Sequence, residues 1–111
     1  MLVKKGDRVA QLSLHGVPKE VILKSGFLPG ITQVAVMTLD GSVDIELHRH
    51  PTMFEVYFIL EGRAEYTVGE KVYEVGPGDF LYVPPNTQHK QKVIQAPHKF
   101  FYWGIATDSQ L

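Results

Sequence analysis

A chain of 111 residues is long enough for one folded domain that buries roughly two-thirds of its unfolded surface, and too short for two. Its 11 Lys and Arg and 12 Asp and Glu are interspersed and leave a net charge of −1, so there is no basic stripe for nucleic acid and no cationic face for a membrane; a small molecule is the expected partner. With no cysteine, disulfides and thiolate sites are excluded, and any metal must be held by nitrogen and oxygen.

Residues Met1 to Asp7 lack an apolar run of signal length, and nothing later approaches the ~18 continuous apolar residues of a membrane span. A cytoplasmic protein is expected. Residues 8–14 and 19–24 read as short strands on either side of a His15-Gly16-Val17-Pro18 turn, and Gly26 and Pro29-Gly30 mark the next break. His15 reads as an exposed turn residue, since nothing ties it to the other histidines. Residues 31–39 form a third strand and Asp40-Gly41 a hairpin signal, after which Val43-Asp44-Ile45-Glu46-Leu47 alternates towards His48. Strict alternation puts Glu46 on the face of His48. Either a bulge shifts the register and exposes Glu46, or Glu46 is a carboxylate standing behind the site.

His48 and His50 are two apart, a spacing that sends both imidazoles to one face of an extended chain. After Pro51 the next strand, residues 54–60, is almost entirely aromatic, β-branched or leucine, as a strand covered on both faces should be. Glu55 interrupts it, and a carboxylate there needs a partner. Glu61-Gly62 reads as a turn into a strand over 63–68, and Gly69-Glu70 as another into 71–75, which predicts a three-stranded meander. Gly76-Pro77-Gly78 breaks the sheet, residues 80–83 form a short strand, and Pro84-Pro85-Asn86 turns the chain so that His89 points inward as a fourth ligand. His98, between Pro97 and Lys99, reads as a solvent-exposed loop residue ahead of a last strand over 99–106. No stretch has helical periodicity, and frequent turn signals between strands indicate a sandwich or barrel.

These residues resemble the two motifs of a small single-domain cupin. The first runs His48-x-His50, four residues, Glu55, six residues, Gly62, with Gly41 one residue further upstream than usual. The second runs Gly78, five residues, Pro84, Asn86 where the family prefers glycine, His89, and Val93 where it often has asparagine. Asparagine tolerates the left-handed conformation that the glycine would supply. The resemblance spans 41–62 and 78–93 and implies an all-β fold, a double-stranded β-helix or jelly-roll barrel over 1–111.

His48, His50, Glu55 and His89 together suit one divalent Mn, Fe, Co, Ni, Cu or Zn ion, with positions left open for water, substrate or dioxygen. No Ser-His-Asp spacing, phosphate-cradling loop or glycosidase carboxylate pair competes as the source of chemistry. Met53, Phe54, Tyr57, Tyr66, Gln88 and Gln91 flank the ligands or share their strand face and are the expected pocket lining. Gln88 and Gln91 are placed to orient a ligand histidine. Tyr57, two residues from Glu55, is the candidate catalytic group. The expected function is that of a metal-dependent enzyme acting on a small organic molecule, of dioxygenase or isomerase/lyase type; the alternative is a non-catalytic metal or ligand-binding module. Phe100 and Tyr102 on one face of the last strand and Phe101, Trp103 and Ile105 on the other exceed what one small barrel buries, so a homodimer is expected.

Overall fold

The structure, a computed structural model, describes residues 1–107. After a single 3-10 turn at Lys5–Asp7 come eight strands: β1 Val9–Leu12, β2 Pro18–Leu23, β3 Val34–Leu39, β4 Ile45–His48, β5 Met53–Val68, β6 Lys71–Val75, β7 Phe80–Val83 and β8 His89–Ala106. Every pairing is antiparallel. No helix among the described residues is long and apolar enough to cross a membrane.

Two long strands organise the rest. β5 and β8 pair along nearly their whole lengths, from Met53 opposite Ala106 to Val68 opposite His89. Their other neighbours change midway. The first half of β5 pairs with β7 and the second half with β6, while β8 pairs with β4 near its start and with β3 towards its end. The result is two sheets joined by shared strands, β1-β2-β3-β8-β5-β7 and β4-β8-β5-β6, which is the jelly-roll arrangement. Leu39, Tyr57, Ile59, Ala64, Tyr66 and Phe100 fill the core.

The bend lies at Gly62, and here the expected meander is corrected. Glu61-Gly62 does not turn a hairpin: residues 53–68 are one strand. The register between β5 and β8 shifts repeatedly there, with Glu61 opposite Lys99 and Arg63 opposite Gln95, so β8 carries extra residues around Pro97. Gly62 adopts φ +74°, and a Cβ on it would strike the carbonyl of Pro97 and come within 2.5 Å of that of Gln95. The glycine's left-handed freedom bends one strand instead of reversing it.

Two further expectations need correction. β8 begins at His89, ten residues before Lys99, so His98 lies inside a strand and is fully buried, not in an exposed loop. Its Nδ1–H donates to the carbonyl of Glu61 at 3.2 Å and its Nε2 accepts from the Tyr66 hydroxyl at 2.8 Å. At the other end, Ile31 joins the sheet only through one bridge to Ile105, and β3 proper starts at Val34.

Candidate metal centre

Three strands and a loop deliver the four residues. His48 ends β4 directly opposite His89, the first residue of β8, while His50 follows in the β4–β5 loop and Glu55 lies near the start of β5. The parity problem at Glu46 resolves through a bulge. Ile45 faces Gln91 and His48 faces His89, so β4 spends three residues where β8 spends two, which leaves Ile45 buried and Glu46 exposed. The two motifs are also tied by backbone: the N–H of Asn86, at φ +57°, donates to the carbonyl of His50 at 2.7 Å.

One potential ligand atom from each of His48, His50, Glu55 and His89 lies within 4.8 Å of all the others. Glu55 is buried, with Oε1 3.3 Å from His89 Nε2 and Oε2 3.4 Å from His50 Nε2. The Tyr57 hydroxyl donates to Oε1 as well. Burial alone would raise the Glu55 carboxyl, but the contacts with His50, His89 and Tyr57 outweigh it and hold the group well below the usual carboxylate range. His50 is raised by its contact with Glu55, and burial pushes His48 down to about 4. Tyr57 is pushed well above its ordinary value by burial and by the Glu55 charge, so it stays a hydrogen-bond donor.

The tautomers test the fit of a cation. His48 Nδ1 sits 2.7 Å from the carbonyl of Glu46, and His89 Nδ1 sits 2.9 Å from that of Thr87. A carbonyl only accepts, so each Nδ1 carries a proton and it is Nε2 that each ring turns inward, the atom left to act as a ligand. At His89 the Nε2 faces a carboxylate oxygen at 3.3 Å, where either a proton on that nitrogen or a divalent ion between the two atoms satisfies both. Three imidazole nitrogens and one carboxylate fit such an ion.

The cluster opens onto a cavity of about 410 Å³. Met53, Tyr57 and Gln91 line it as expected, and Tyr66 packs edge-on behind Tyr57. Phe54 and Gln88 do not: both are exposed, and it is the carbonyl of Thr87 that meets the His89 ring. Gln91 is buried, with no hydrogen-bond partner for Oε1 among the described residues. His15 is at the surface as expected, but it is not remote, because the turn between β1 and β2 lays its ring 4.5 Å from that of His48 at the cavity wall. Lys19 of β2 also lines the cavity. Burial lowers its ammonium, which the charge of Glu55 partly offsets. Its signal was present in the chain: Val17 and Val21 are core residues, so alternation turns Lys19 inward with them.

The family profile of the cupin domain matches residues 35–99, more than half of the chain and all four clustered residues. The chain belongs to the cupin family. This cupin is similar to an uncharacterized protein of Methanocaldococcus jannaschii, 36% identical over 89 residues, which are 80% of this chain and 64% of the relative. It thus spans just under two-thirds of that relative's length. Among solved structures it is similar to a predicted oxalate decarboxylase from Thermotoga maritima, with TM-score 0.82, 20% identity, and coverage of 96% of this chain and 99% of the other. The nucleoside dehydratase Pac13 gives TM-score 0.74 at 14% identity, covering 96% of this chain and 82% of its own. Both likenesses show the fold.

Proposed function

We propose that this cupin is a metal-dependent enzyme acting on a small organic molecule, with His48, His50, Glu55 and His89 as ligands of one divalent transition ion. The observation that carries this reading is the position of three of the four, His48, His50 and Glu55, in the wall of a cavity of about 410 Å³, within the size range of small-molecule sites. An ion that only stapled the barrel would be enclosed by protein atoms. When bound, the ion supplies Lewis-acid polarisation or, if redox active, oxidative chemistry.

The chain's own residues do the rest. Met37, Ile45, Met53 and Phe100 give the cavity apolar walls that limit water around a bound molecule. Tyr57 fixes the Glu55 carboxylate through its hydroxyl and is the polar residue on which turnover depends. A lyase is the favoured class, because a predicted oxalate decarboxylase and a nucleoside dehydratase stand among the proteins with this fold. The test is the metal content of protein purified without added metal, followed by a screen of the iron, manganese, nickel and zinc forms on small organic acids and alcohols. Non-oxidative cleavage or elimination is expected; turnover that consumes dioxygen would replace the lyase reading with an oxygenase, and failure to retain any divalent ion would overturn both.

A further inference from the structure

We propose that Lys19 is an anion-recognition residue and that the molecule occupying the cavity carries a carboxylate, held by the Lys19 ammonium while the rest of it faces the four-residue cluster. The proposal rests on the enzymatic reading above for the role of the cluster, and on separate observations for the role of Lys19.

Three features support it. Lys19 sits opposite Met37 in the β2–β3 register, and Met37 in turn sits opposite Phe100, so the lysine is on the concave, apolar side of the sheet. Its outward neighbour Glu20 has an arginine partner, Arg8 at 3.4 Å, but among the described residues no carboxylate lies within 4 Å of Lys19. A partly buried ammonium with no carboxylate in contact, Glu55 acting on it only from a distance, favours an anion beside it.

The charge balance of the cavity points the same way. Among the described residues, Glu55 is the one carboxylate in its lining. A divalent ion's two positive charges and the one on Lys19, set against the single negative charge of Glu55, would leave a net positive site that a bound carboxylate partly offsets. The chemistry fits a carboxylate better than a phosphate. Only one lysine is present, no arginine lines the cavity, and no cradle of successive backbone N–H groups at a helix start is available among the described residues.

The experiment compares wild type with Lys19→Met, which keeps an apolar stem beside Met37, and with Lys19→Gln as a second neutral variant should the first fold poorly. Succinate and its uncharged diamide are titrated by calorimetry into each protein, and metal content is measured on the same preparations. Saturable succinate binding to wild type is expected, with the diamide much weaker. The neutral variants should lose about 10- to 100-fold in succinate affinity at unchanged metal content, the scale of a charge-assisted hydrogen bond. Equal succinate affinity in wild type and a folded neutral variant overturns the proposal, as does no saturable binding to wild type up to about 10 mM. Wild type that holds no metal yet binds succinate through Lys19 would defeat the enzymatic reading and leave this one standing.

Discussion

Glu55 is a buried carboxylate on β5 beside the core residues Val56 and Tyr57, and its neighbours are arranged for that anomaly. If an ion is held between it and the imidazoles, His50→Ala or His89→Ala should lower metal affinity by about 10-fold or more, read as metal retained after dialysis; full retention in both variants would sink the ligand assignment. Tyr57→Phe keeps the ring and removes only the donor to Glu55. Metal content should survive while turnover on the first substrate found falls by about 10²-fold, and unchanged kcat would release Tyr57 from any role. His98 yields a prediction about pH. Burial lowers its folded-state value below the ~6.5 of an unfolded histidine, so the unfolded chain takes up the proton first. The His98 contribution is intact above that value and is lost as the pH falls below it. His98→Gln removes the titration, and its urea-unfolding stability should therefore drop less than that of wild type between pH 7.5 and 5.5; equal drops would show that the Tyr66–His98 pair is not coupled to acid unfolding.

At the scale of strands, the bend at Gly62 is the element most exposed to a single substitution. Gly62→Ala forces a side chain into φ +74° and against backbone carbonyls of β8 that cannot swing aside, so it should cost about 3 kcal/mol or more, read from urea denaturation. A loss below about 1 kcal/mol would mean the bend relaxes freely. The same residue explains what a linear reading could and could not recover. Ligand spacing and strand alternation are local, so the grouping of His48, His50, Glu55 and His89 and the inward turn of Tyr57 were legible, while at Glu46 alternation left a bulge and an inward carboxylate both open. A glycine after a glutamate carries the same signal whether it reverses a strand or bends one. The difference lies in β8, some 35 residues away, which also explains why His98 read as loop. Alternation with Val17 and Val21 turns Lys19 inward, but that it meets a cavity there, and that His15 lies beside His48, depends on where β2 lies in the sheet.

For the whole molecule, parity along the last strand holds: Phe100 and Tyr102 line the cavity while Phe101, Trp103 and Ile105 face outward. Across the strands that outward row is continued by Phe54 and Phe58 on β5 and by Phe80 and Tyr82 on β7, all four exposed. We propose that this face pairs with a second copy of the chain about a two-fold axis, since a contiguous aromatic surface of this kind is rarely left in water and a stable interface needs only about 800 Å² from each partner. Sedimentation at micromolar concentration should give a dimer, and Phe58→Asp should convert it to a folded monomer; a monomer mass for wild type would count against the pairing.

The strand order separates two duties. The clustered residues come from β4, β5, β8 and their loop, which interlock through the shared long strands, whereas Lys19 and His15 come from a hairpin whose strand pairing to the rest of the sheet, among the described residues, is through β3 alone. The hairpin is thus an exchangeable part. If Lys19 selects the ligand, grafting a different β1–β2 segment onto this barrel would retarget the cavity while leaving the cluster and its chemistry in place, so the fold can change what it accepts without rebuilding what it does.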